Sequence, residues 1–199
     1  MKGFILFLFL LSIVIIGCKD ESVVEPPPEA SASVHTIYNV PADTGSANKV
    51  TYFRFSDSTI VTGNDTVTAN WDMGFKSTTI YTNSGSSGQG QGGAVLLTNV
   101  DFSSVTEAPS DGYNIDATGA PAIPTGSGNG WYNYSGPPSH LITPKPGVVL
   151  VIRTGSGKYA KVQILSYYLN APESPTGAEP TRFYTFKYLY QPDGSKSFE

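Results

Sequence analysis

From Val34 onward, apolar and polar residues alternate in short runs separated by turn residues, the signature of β-strands. Val50 to Phe55 places Phe53 and Phe55 on one face, and Ser56-Asp57-Ser58 breaks the run. Thr66 to Phe75 places Trp71, Met73 and Phe75 on one face, with Asn70 and Asp72 on the outer one. Thr78 to Thr82 and Ala94 to Phe102 predict two further strands. Val148 to Thr154 is continuously apolar and predicts a buried strand. Tyr159 to Tyr168 follows a Gly-containing turn, with Ala160, Val162 and Ile164 on one face and Lys161 and Gln163 on the other. Arg182 to Tyr190 then aligns Tyr184, Phe186, Tyr188 and Tyr190 on one face. These last three runs predict an antiparallel meander with an aromatic face.

Two segments lack such a pattern. Residues 83–93 are almost entirely Gly, Ser, Gln and Asn, so they form either a mobile loop or backbone that approaches something closely. Residues 103–147 carry many Gly, Pro and Asp residues and predict long loops, a length uncommon without a function. The whole reads as an all-β, single antiparallel domain with little helix, its long loops forming a cleft.

Composition agrees. The chain has 199 residues, 21 Gly and 15 Pro, which disfavour long helices. Its 39% apolar content is enough to build a core. Twelve basic and 16 acidic residues give a net charge of −4 without a basic stripe, which argues against a nucleic-acid partner. With one Cys and two His, neither an internal disulfide nor a Cys/His zinc cage can form.

The N-terminus reads as an address. Lys2 precedes the apolar run Phe4–Ile16, too short for a membrane span and suited to a secretory signal peptide over residues 1–17. Ile15-Ile16-Gly17-Cys18 resembles a lipoprotein cleavage box, with Cys18 as the lipidated residue that would tie the chain to a membrane. Lys19-Asp20-Glu21 resembles an export signal for the outer face of an outer membrane. The acidic, Pro-rich stretch of residues 18–33 then serves as a tether, and the β domain spans 34–199.

Several segments of the chain stand in a consistent order. They are Asn70-Trp71-Asp72-Met73-Gly74-Phe75, Thr82-Asn83-Ser84-Gly85-Ser86-Ser87-Gly88 and Gly130-Trp131-Tyr132-Asn133-Tyr134. In the C-terminal half they are Arg153-Thr154, Gly157-Lys158-Tyr159-Ala160-Lys161, Ser166-Tyr167-Tyr168, Thr185-Phe186 and Tyr190-Gln191-Pro192-Asp193-Gly194. Together these segments resemble the HmuY-like haem-binding surface lipoproteins, and the resemblance implies a β domain that takes haem, sometimes from haemoproteins, and passes it to an outer-membrane receptor for iron acquisition. It also implies two axial iron ligands from opposite jaws of a cleft, His in some members and Met in others.

Haem iron accepts imidazole, thioether, thiolate or phenolate. His140, in Pro137-Pro138-Ser139-His140, stands about where the resemblance places one ligand. The other jaw would fall in residues 105–116, where Tyr113 alone has ligating chemistry. Met73 is chemically able, but its strand face is that of a core residue. His35 lies at the tether boundary, where an exposed position is expected. Trp131, Tyr132 and Tyr134 form either an exposed aromatic platform or a hydrophobic plug.

Other motifs yield less. Asp72 reads as a charged residue on an outer strand face or a turn partner. Asp111 and Asp116 are too sparse for a calcium loop. Gly155-Ser156-Gly157-Lys158 lacks the strand–loop–helix setting of a phosphate loop. No nucleophile motif accompanies His140, so an enzyme is not expected. The first reading is a non-enzymatic, surface-exposed haem-binding lipoprotein. The alternative is a glycan- or protein-binding adhesion module on the same β domain, without iron chemistry.

Overall fold

A computed structural model describes residues 32–199. The expected leader over 1–17, the expected lipidation site Cys18 and the expected tether as far as residue 31 lie outside the described residues. Among the described residues, no helix is long and apolar enough to cross a membrane.

Among the described residues, eleven strands form two main sheets and a hairpin, and every pairing is antiparallel. The larger sheet runs β1 (Val34–Pro41), β11 (Thr181–Gln191), β10 (Tyr159–Tyr168), β9 (Val148–Arg153), β6 (Gly93–Thr98). The smaller runs β3 (Thr59–Val61), β2 (Thr51–Arg54), β4 (Met73–Lys76), β5 (Thr79–Thr82). The hairpin joins β7 (Tyr132–Tyr134) and β8 (Ile142–Pro144). The all-β expectation holds, and the C-terminal meander is β9, β10 and β11.

The sheets meet through aromatic side chains of alternate residues. Phe53 of β2 meets Phe186 of β11 edge-on, with ring centroids 5.3 Å apart. Phe75 of β4 lies 4.8 Å from Tyr184 and 5.5 Å from Phe186. Such pairs contribute about 0.5–1.5 kcal/mol each beyond area burial. The β11 aromatic face is therefore the centre of the core.

The continuous apolar run of β9 has a matching cause. Leu150 and Ile152 face the aromatic core, whereas Val149 and Val151 face a second cluster with Phe102, Val105, Leu189 and Phe198. That second cluster also covers Lys161, on the face opposite Ala160 and Val162, and leaves it 4% exposed. Its ammonium donates to the carbonyls of Phe102 (3.0 Å) and Val105 (2.8 Å) and lies 4.6 Å from the Phe102 ring centroid. Burial, and then the nearby Lys187, lower its pKa below the ordinary lysine value.

Three expectations need correction. The strand expected over 66–75 begins only at Met73, because Gly63–Val67 forms a 3₁₀ turn. Thr66 and Thr68 hydroxyls bond the carbonyls of Gly63 and Asp65, and Asn70 bonds the Asp65 side chain. Such local bonds compete with a sheet ladder. The strand expected over 94–102 stops at Thr98 and gives way to a 3₁₀ turn at Phe102–Ser104. Within residues 103–147 the hairpin β7–β8 is regular structure that the loop reading lacked.

Candidate functional site

Asp72, expected on an outer strand face or in a turn, is buried because the chain on both sides of it is covered. Its carboxylate accepts the amides of Phe55 (2.8 Å) and Gly155 (3.1 Å). Beside it, Asn83 is fully buried and ties the Gly-rich loop down. Its Nδ2 donates to the carbonyls of Thr68 and Trp71, both at 2.9 Å, and its Oδ1 accepts the Gly90 amide, also at 2.9 Å. Of the two readings of residues 83–93, close approach is the correct one. A Cβ at Gly88 would lie 2.0 Å from Asn83 Oδ1 and 2.7 Å from the Trp71 ring. Asp116 is buried too, accepting the amides of Thr82 (3.0 Å) and Ala122 (2.7 Å) and the Thr82 hydroxyl. It organises these loops, whereas Asp111 is exposed.

At the opposite extreme stands the tip of the β7–β8 hairpin. Ser135 and Leu141 close it by two bonds: the Ser135 amide donates to the Leu141 carbonyl, and the Leu141 amide donates to Ser135 Oγ, both at 2.9 Å. The His140 amide donates to the Gly136 carbonyl (2.9 Å), which holds His140 in the left-handed region at φ 51°. His140 is exposed, and its Nδ1 shares a hydrogen bond with the phenol of Tyr134. Tyr134 is 43% exposed. The tip therefore displays an imidazole and a phenol as one bonded unit, with Nε2 of the imidazole outside that bond.

The other sequence candidates stand elsewhere. Trp131 and Tyr132 are buried, which corrects the exposed platform: they are a plug. The Trp131 indole fills the end of the sandwich, 5.1 Å from the Tyr184 ring centroid, and donates to the Thr78 carbonyl (2.9 Å). Only Tyr134 of that trio faces outward. Met73 is fully buried in the core beside Phe53 and Phe75, where no cofactor could reach its sulfur without unfolding.

Tyr113 packs 5.9 Å from the Tyr159 ring centroid, with the Arg153 guanidinium 5.2 Å from its own. Its hydroxyl is buried with no protein partner. Burial, and then Tyr159, push the phenol far above its ordinary pKa, which opposes the phenolate that iron would need. Tyr159 begins β10, whereas Tyr168 at its far end accepts the Ile142 amide of the hairpin (2.9 Å). Ten residues of strand thus lie between the two neighbourhoods, roughly 30 Å. The structure does not bring Tyr113 and His140 together.

His35 is exposed and stacks on Tyr188, with centroids 5.3 Å apart. It borders a hollow of about 400 Å³ with Phe55, Lys158, Tyr188 and Tyr190. Each imidazole therefore has a phenolic neighbour, but the two stand on different elements. The Tyr134–His140 unit escaped the sequence reading because it depends on the hairpin register: Tyr134 pairs with Ile142, which brings residue 140 back beside residue 134. Spacing across a turn was the available signal.

Fold and site together define an all-β sandwich whose edge hairpin displays an imidazole–phenol pair. The HmuY protein family model matches residues 46–188, and the chain belongs to that family. No curated protein sequence matches it. Among solved structures it is similar to the apo HmuY analogue of Tannerella forsythia, with TM-score 0.51, 16% identity, and coverage of 81% of this chain and 96% of that one. A Bacteroides vulgatus protein described as HmuY-like and haem-binding gives TM-score 0.51 and 20% identity over 78% of this chain and 90% of that one. A Bacteroides fragilis protein described as a lipoprotein gives 0.52 and 16% over 81% and 93%. At these identities the likeness carries the fold.

Proposed function

We propose that this chain is a non-enzymatic, lipid-anchored haem-binding protein. It is displayed on the outer membrane, takes haem from solution or haemoproteins, and passes it to a receptor for iron acquisition. Family membership supports the class, and the Tyr134–His140 unit is the observation in this chain that carries it. The donor chemistry fits haem. An imidazole ligates iron through one nitrogen while its other N–H is held by a second group, which fixes tautomer and ring orientation. With the proton on His140 Nδ1 donated to Tyr134 Oη, the Nε2 lone pair is the one left for iron. The stiff Pro137-Pro138 segment holds the tip in place and lowers the ordering cost on binding. The tip presents a single imidazole, so the reading requires one protein-supplied axial bond.

When bound, haem would supply an iron centre and a broad apolar face, and the protein's part is to hold, orient and release it. The test is a haemin titration of the full-length chain followed by absorbance in both iron redox states. A Soret shift is expected. His140→Ala should weaken binding by roughly a hundredfold, and Tyr134→Phe, which removes only the orienting partner, by about tenfold. A flat spectrum in both redox states, or full binding by His140→Ala, overturns the reading.

A further inference from the structure

The Gly-rich loop does not serve the hairpin tip, yet its backbone is closely tied to the segments around it. Its backbone is fixed at both ends of a short shelf, Ser86-Ser87. The Ser86 amide donates to the Asp116 carbonyl (2.9 Å) and the Ser87 amide to the Ser84 carbonyl (2.9 Å). Gly85 has φ 50°, and a Cβ there would lie 1.9 Å from the Asp116 carbonyl oxygen. The shelf can neither collapse onto the sheet nor swing away from it.

Three hollows meet at this shelf, and Ser86 and Ser87 line all of them. One of about 470 Å³ lies between Tyr81 and the 117–125 segment. A second, of about 180 Å³, lies between Tyr52 and Tyr81. A third, of about 300 Å³, runs from Tyr52 along residues 85–89. Tyr81 lines the first and the second and Tyr52 the second and the third, so the three adjoin in a row along the shelf, a grooved surface. The largest is within the roughly 300–1,000 Å³ of small-molecule sites.

The lining chemistry narrows the ligand. No charged side chain borders any of the three hollows. An anionic ligand, haem with its propionates included, would meet no cation there. What the groove offers is hydroxyls (Ser86, Ser87, Thr79, Thr118), one carboxamide (Gln89) and two half-buried phenol rings. Aromatic faces stack on the C–H faces of sugar rings, and fixed hydroxyls exchange hydrogen bonds with sugar hydroxyls. A rigid lining binds without paying for order on contact. We infer that this groove is a binding site for a neutral oligosaccharide, with Tyr52 and Tyr81 as stacking platforms and the Ser86-Ser87 shelf as the hydrogen-bonding edge.

The test uses the full-length chain in detergent on an array of immobilised neutral probes (cello-, malto- and mannohexaose) and anionic ones (oligogalacturonate, sialyllactose). Calorimetry with the best neutral probe follows. Neutral probes should bind and anionic ones should not. Tyr52→Ala and Tyr81→Ala should each weaken binding by roughly tenfold, while Tyr81→Phe, which keeps the ring, stays within about threefold. Thr118→Arg places a bulky charge at an exposed position in the groove and should abolish binding without touching the core. Retention of anionic probes only, no neutral binding, or neutral binding indifferent to all these variants overturns the inference. Haemin titration of the same variants should match the parent, which separates this site from the hairpin tip.

Discussion

The loop over residues 83–93 and the loop over residues 135–141 are opposites in composition and in behaviour, and not in the expected sense. The first, rich in glycine, is held by a buried asparagine, and the buried carboxylates of Asp72 and Asp116 accept the amides of Gly155 and Thr82 in the backbone beside it. The second, stiffened by proline, keeps its polar side chains in solvent and touches the body mainly through its strands. Glycine here marks backbone packed too tightly for a Cβ, whereas proline marks backbone held out to present a side chain. Whether the polar groups beside a loop are buried decides whether its backbone is fixed to the body or held out from it.

The sharpest way to break this contrast is Asn83→Ala. The substitution deletes three side-chain hydrogen bonds at once and leaves the Gly90 amide without its acceptor in a dry setting. A loss of about 3–5 kcal/mol is expected by urea denaturation, since buried polar groups left unpaired cost more than the bonds contributed. A loss below about 1 kcal/mol would mean the loop is not knotted as described.

Much of the fold was legible because its strands obey simple rules. The alternation in 159–168 and 182–190 marks two strands that share one core face, and unbroken hydrophobicity in 148–152 marks a strand covered on both faces. Legibility fails where side chains act on distant backbone. Asp72 looks like an outward residue because its neighbours alternate; the approach of Phe55 and of Gly155, 83 positions away, makes it a buried acceptor. The candidate site was half legible. His140 was found by the chemistry of its side chain. Tyr113 reads as a ligand from the opposite jaw, because linear position does not show which loops share an end of the sandwich. Trp131, Tyr132 and Tyr134 look equivalent in sequence; the direction of the hairpin sends two inward and one out.

Asp72 sharpens the comparison through pH. Burial pushes its carboxyl up to about 6 from an ordinary 3.8, although the amides of Phe55 and Gly155 pull the other way. The folded pKa lies above the unfolded one, so the associated stability is fully present below pH 3.8 and is lost as pH rises through 6. The difference corresponds to about 3 kcal/mol between acid and neutral pH. Exposed acids such as Asp43, whose pKa is lowered chiefly by the Lys49 amide, act in the opposite direction. Comparison with Asp72→Asn cancels them. The parent should lose stability relative to that variant between pH 4 and about 7.5, followed by denaturant midpoints. Parallel curves would contradict an ionising Asp72 buried in the knot.

The smallest expected effect concerns the hairpin tip. His140 holds φ at 51°, a region that costs a residue with a Cβ about 1 kcal/mol and costs glycine almost nothing. Its compensation within the fold is one exposed bond to Tyr134, worth less than a buried one. His140→Gly should therefore leave stability unchanged or raise it by up to about 1 kcal/mol, and His140→Ala, which keeps the strain and loses the bond, should fall slightly below the parent. Thermal melts of the three proteins order these terms. Parent below Gly with haemin binding lost in both variants is the behaviour of a residue kept for what it binds. Parent well above Gly would make the Tyr134–His140 bond a structural clasp, and the two loops would then be alike after all.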